Sequence, residues 1–257
     1  MKYFARYHSR LYRRIAALSA VALLTISTPA TSDELTIAVA SNFIQPLQRL
    51  SRQFEQQSSH TIRIASGSSG KLYAQILHGA PYDVFMSADS EKPERLVRQQ
   101  QAVAESRQTY ALGRLVLATT QPQQAVSIDT LTSDNYQRLA IANPKLAPYG
   151  AAAAQWLASL NYQPQPGKLV RGENIAQTYQ FVRSGNADLG LIALSQVKSP
   201  DFTGRYLLLG ADQHPAIKQQ LVVLNRGADN PATHAFIRFL NTPEARTVIT
   251  QSGYLLP

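Results

Sequence analysis

Short apolar strands alternate with helical patterns along this chain, and the first two strands each run through a serine straight into a helix. Leu35–Ala40 (LTIAVA) meets Ser41-Asn42, after which Phe43, Leu47, Leu50 and Phe54 recur at helical spacing. Thr61–Ala65 leads through a Gly/Ser stretch to Ser69-Gly70, then to the helical run Leu72–Leu77. Asp83–Ser87 and Glu91–Gln99 repeat the pair. This βαβαβ order predicts a parallel sheet with right-handed crossovers. A helix start carries unpaired amides and a partial positive charge, so it favours an anion, and a serine there adds a hydroxyl donor. Two such corners at the carboxyl ends of neighbouring strands are placed to converge on one small oxyanion.

A second α/β unit follows. Gly113–Thr119, Arg138–Ala142, Leu189–Ala193 and Gln219–Leu224 read as strands, Ala151–Leu160 and Ile175–Arg183 as helices. Pro231–Leu240 and Pro243–Thr250 read as two closing helices, each with proline in its first turn. Open α/β sheets bind at the carboxyl ends of their strands, so two sheets point to a site in the cleft between them. Gly113–Thr119 and Gln219–Leu224 are the candidate crossings between lobes. The expected division is 33–112 with 225–257 as the first lobe and 113–224 as the second.

The first 32 residues stand apart. Lys2, Arg6, Arg10, Arg13 and Arg14 precede a mostly apolar Ile15–Ile26, too short for a typical membrane span, and small residues follow. This predicts a cleaved secretory signal peptide over 1–32, cut after Ser32 or alternatively after Ala30. Setting aside those five cations lowers the formal net charge from +9 to +4. That balance argues against a nucleic-acid groove and is compatible with a mild attraction for anions. With no cysteine, disulfides and thiolate chemistry are excluded.

The candidate ligand residues each have a plain structural alternative. Ser41 and Asn42 are favoured helix caps, and Ser68-Ser69-Gly70 suits a turn and cap. Tyr149, after Asn143-Pro144 and before a helix, offers a hydroxyl or its N–H, or simply packs. Ile175 at a helix start offers only its N–H and otherwise reads as core. No arginine is an obvious clamp. Lys71 is either an approach to the anion or a solvated lysine. Asp89 is either an acceptor for a protonated ligand or a helix cap. Neutral donors suit a fully deprotonated oxyanion, which only accepts hydrogen bonds.

Enzyme readings are weaker. Ser68 to Lys71 satisfies S-x-x-K and Ser133-Asp134-Asn135 satisfies S-D-N, the pattern of a β-lactamase-like serine acyl-transferase, but no K-T-G follows. A Walker loop fails at Ala65 and Leu72. The five histidines have no metal-ligand spacing. No cofactor is expected.

The strings AVASNF, SGSSGKLYAQILHGAPYDVFMSAD, ALGRLVLAT, IANPKLAPYG, GENIAQTY and ADLGLIAL resemble the periplasmic molybdate-binding proteins of ABC importers, in order and over nearly all of the chain after the leader. The resemblance implies a two-lobed α/β periplasmic-binding-protein fold with two hinge crossings. It implies a monomer that closes over molybdate or tungstate in the periplasm, presents it to a membrane permease and is not an enzyme. The metal is then held as its oxyanion, with no direct side-chain coordination. Carried over by motif, Ser41, Asn42, Ser69, Tyr149 and Ile175 are the oxyanion-binding residues, Ile175 through its main-chain N–H. Some members place a tyrosine after the LGxV-type strand, where this chain has Ala193; the resemblance is to the branch that draws its tyrosine from APYG. Preference over sulfate rests on this resemblance. Another oxyanion, such as sulfate, is the alternative ligand.

Overall fold

Strand β1 (Glu34–Ala40) is buried along most of its length, as expected of a parallel strand with helices on both faces. The computed structural model describes residues 33–257; the leader reading over 1–32 lies outside the described residues. β1 pairs in parallel with β2 (Thr61–Gly67) and β3 (Val84–Ser87). Two antiparallel neighbours, β10 (Ile217–Val223) and β4 (Gln108–Gly113), complete the sheet in the order β2-β1-β3-β10-β4. Successive side chains point to opposite faces. Ile37 and Val39 therefore enter one core while Ala38 enters another with Phe85 and Val222.

The second sheet repeats this plan in the order β7-β6-β8-β5-β9. Its strands are β5 (Leu115–Thr119), β6 (Leu139–Ala142), β7 (Leu169–Gly172), β8 (Leu189–Ala193) and β9 (Arg205–Leu208). β6 runs parallel to β7 and β8, while β5 is antiparallel to β8 and β9.

Around the first sheet lie α1 (Ile44–Gln57), α2 (Ser69–Leu77) and α3 (Glu91–Arg98). The second has α4 (Ile128–Thr132), α5 (Pro148–Ser159), α6 (Ile175–Arg183) and α7 (Leu194–Val197). The closing helices α8 (Pro231–Leu240) and α9 (Pro243–Gln251) return to the first sheet. There Phe236, Leu240, Val248 and Ile249 share a core with Leu35, Val39 and Leu47.

Three details differ from the sequence reading. The run Gly113–Thr119 is two strands in two sheets. Gly113 ends β4 and Leu115 begins β5, so the chain crosses at Arg114. A Cβ on Gly113 would overlap the Tyr149 hydroxyl, which requires glycine at this crossing. The strand read as Gln219–Leu224 spans Ile217–Val223 and lies inside the first sheet, between β3 and β4. The chain therefore returns between Leu208 and Ile217. Strands β7 and β9 escape hydropathy patterning because their residues are mostly half-buried or exposed.

Candidate functional site

Strand register brings the corners together. Ala40 pairs with Gly67, so β1 and β2 end level and release Ser41 and Ser68-Ser69 at the same edge. In the second sheet Ala142 pairs with Gly172, so the turns into α5 and α6 also emerge level. The start of α5 presses on the end of β6: a Cβ on Gly150 would overlap the Ala142 carbonyl.

An account of the amides at each helix start singles out one position. At α2, Gly70 N–H donates to the Leu146 carbonyl at 2.9 Å and Leu72 N–H to the Ser68 carbonyl at 3.0 Å. Lys71 N–H donates to the Ser68 hydroxyl at 3.4 Å. That leaves the N–H of Ser69, a residue with no exposed surface. At α6, Ala176 N–H donates to the Ser41 hydroxyl at 3.3 Å and Gln177 N–H to Asn174 Oδ1 at 3.0 Å. Thr178 N–H goes to the Asn174 carbonyl. That leaves the N–H of buried Ile175. The Ile175 carbonyl is held by Gln196 Nε2 at 2.9 Å. At α5 the first residue is proline, so the first amide in that helix belongs to Tyr149.

The side chains divide the work further. Ser68 caps α2. The Ser69 hydroxyl accepts from Ala88 N–H at 3.0 Å and, like any hydroxyl, keeps its own proton to donate. Ser41 Oγ donates to Asn174 Oδ1 at 3.3 Å, so it already touches the opposite sheet's corner. Asn42 turns its carboxamide inward: Nδ2 donates to Gln219 Oε1 and to the Tyr254 hydroxyl, both at 2.8 Å. The donor left to Asn42 is its main-chain N–H, in a 3₁₀ turn (Ser41–Phe43) whose first amides have no partner within the turn.

Ser41, Asn42, Ser69, Tyr149 and Ile175 all line one small cavity between the two sheets, with a volume of about 10 Å³. That is room for about one water-sized group, so the lining groups already lie close around a single point. None of the described residues that line it is charged. The phenols nearby are also neutral. Burial raises the Tyr149 hydroxyl well above its ordinary value, and Tyr254 and Tyr110 add to that shift. Burial pushes Tyr254 up to about 12, against the opposing effect of its hydrogen bonds with Ser195 and Asn42. The buried Tyr149 hydroxyl has no hydrogen-bond partner among the described residues.

The remaining candidates fall outside the cavity. Lys71 Nζ pairs with Glu173 at 2.6 Å across the two sheets. Its ammonium is therefore committed to a carboxylate rather than to Ser68, as S-x-x-K chemistry would need. Asp89 caps α3, accepting from Lys92 N–H at 3.0 Å, and pairs with Lys92 Nζ at 2.7 Å. Ala193 lies at the end of β8 and does not line the cavity. Sequence reasoning missed Gln196, Gln219, Ser195 and Tyr254. Gln219 carried no distinct signal, because Lys218 and Gln220 beside it in the strand are polar too.

Residues 35–255 match the family of bacterial extracellular solute-binding proteins. The chain belongs to that family. It is 42% identical over 248 residues to the molybdate-binding protein ModA of Azotobacter vinelandii, covering 95% of this chain and 97% of that one. It is 38% identical to the molybdate-binding protein ModA of Rhodobacter capsulatus, covering 94% and 96%. Its fold matches the solved structure of the Azotobacter vinelandii periplasmic molybdate-binding protein with a TM-score of 0.81 and 35% identity, over 87% of this chain and 99% of that one. The family's two-lobed architecture corresponds to the two mixed sheets described above.

Proposed function

We propose that this binding protein captures molybdate or tungstate between its two lobes and delivers it to the permease of an ABC importer. The observation that carries the reading is the convergence of helix-start amides and serine hydroxyls from two sheets on one small cavity lined by uncharged residues. Ser69 offers its N–H and hydroxyl, Asn42, Tyr149 and Ile175 their main-chain amides, and Ser41 its hydroxyl in exchange for its bond to Asn174 Oδ1. A dianion without its own O–H matches such a donor-only site. Each charge-assisted hydrogen bond is worth about 1.5–3 kcal/mol, which offsets desolvation. The similarity to two molybdate-binding proteins selects the ion.

The same reading places the mature protein in the periplasm, exported by the 1–32 leader, as a monomer that binds and releases without catalysing a reaction. Its first lobe joins residues 33–113 to the segment from Ile217 onward, with β10 inside it. The second lobe lies between the crossings. Donors from both lobes meet one ligand only when the cleft is closed, so the ion favours the closed form. A thermal-shift panel of molybdate, tungstate, sulfate, phosphate and small carboxylates tests this. Molybdate and tungstate should raise the melting temperature by mass action; a shift with sulfate or a carboxylate alone would replace the proposed ligand.

A further inference from the structure

Tyr254, with only three residues after it, sits where the first corner, the crossing and the second sheet meet. Its buried hydroxyl accepts from Asn42 Nδ2 at 2.8 Å, donates to the Asn42 carbonyl at 2.8 Å and lies 3.1 Å from Ser195 Oγ. Ser195, at the start of α7 just beyond β8, also donates to the Asn42 carbonyl, at 2.9 Å. The Tyr254 ring packs edge-on against Phe43, with centroids 5.1 Å apart. The next residue, Leu255, exchanges two main-chain hydrogen bonds with Leu112 at 2.8 and 3.0 Å. That bridge fixes the tail beside Gly113, where the chain leaves the first sheet.

We propose that Tyr254 is a positioning residue for the oxyanion site, orienting the Ser41–Phe43 turn and tying it across the cleft to Ser195. This rests on the proposed oxyanion-binding reading. The Asn42 carbonyl is the acceptor end of the turn whose amide end supplies ligand donors. Fixing the carbonyl fixes the peptide planes, so the donors need not be ordered when the ion arrives. The Ser195 link joins elements of different sheets, so it holds the docked arrangement rather than either lobe alone. Removing the hydroxyl leaves Asn42 bonded to Gln219 and Ser195 and keeps the ring packing, so the fold survives.

The test is Tyr254→Phe, Ser195→Ala and the double variant in the full mature protein. Calorimetry and stopped-flow mixing use molybdate, or whichever oxyanion the wild type binds. Tyr254→Phe should weaken affinity about tenfold, through faster dissociation, while the ligand-free melting temperature moves by no more than about 3 °C. The double variant should lose little more than the worse single variant, because both hydroxyls donate to the same Asn42 carbonyl and act on one turn. An unchanged dissociation constant, or additive losses, overturns the proposal. Hydrogen exchange in the ligand-free protein gives a readout independent of ligand identity: Tyr254→Phe and Ser195→Ala should each lower amide protection at residues 41–43. Unchanged protection in both overturns it. A wild type that binds no oxyanion in the panel refutes the ligand reading and leaves the exchange result to decide this one. If Tyr254→Phe does not fold, Ser195→Ala decides from the opposite sheet.

Discussion

The two sheets furnish the cavity in different ways. In the proposed site, the first contributes serine hydroxyls, at Ser41 and Ser69, along with amides; the second contributes main-chain groups, at Tyr149 and Ile175, all residues that line the cavity. A hydroxyl is a side-chain choice that one substitution removes. An amide at a helix start is a property of the fold, insensitive to most side-chain changes and lost only when the N–H itself is deleted. The first corner is therefore chemically editable, while the second is set by where α5 and α6 begin.

The most disruptive way to break this contrast is Ile175→Pro. Proline is tolerated at a first helical position, and Asn174 already has the extended backbone (φ −145°, ψ 175°) that a following proline requires. Loss of this one amide should cost about 1.5–3 kcal/mol of binding, whereas Ile175→Val should leave the dissociation constant unchanged. Calorimetry of the two variants separates a main-chain donor from a side-chain one. Ser69→Ala comes next, with about 1–3 kcal/mol lost by the same measurement, because its hydroxyl and amide act together.

Tyr149→Phe sharpens the comparison from the other side. The hydroxyl is buried and without a partner, so removing it should leave affinity unchanged and hold or raise the ligand-free melting temperature. A large affinity loss would move Tyr149 from main-chain to side-chain donor. A small effect belongs to the Lys71–Glu173 pair, whose side chains are about half exposed. Lys71→Ala should change affinity by less than about 1 kcal/mol, with the difference from wild type shrinking in titrations at high salt.

Much of this was legible in the sequence because strand-to-helix corners are local. Ser41, Ser69 and Ile175 could be placed by their position after a strand and before a helix, and βαβ order predicted the parallel pairs around β1 and β6 but not the antiparallel strands that make both sheets mixed. The plain alternatives for Ser68 and Asp89 as caps also hold, since capping depends on residues three apart. What the pattern could not convey was long-range partnership. The inward turn of the Asn42 carboxamide depends on Gln219 and Tyr254, 177 and 212 residues away. The break at Arg114 was hidden because Gly113 at the end of β4 and the whole of β5 are buried and strand-like. Hydropathy reports burial, not which sheet does the burying.

The return of α8 and α9 to the first core bears on the order in which the molecule can be completed. Everything from β5 to β9 is contiguous, so the second sheet can assemble from that segment alone. The first half cannot: Leu35 and Val39 share their core with Phe236, Leu240 and Val248, almost a full chain length later. Contacts so distant in sequence form late. The first half thus stays unfinished until the closing helices dock, which keeps the molecule from closing on an ion before it is whole.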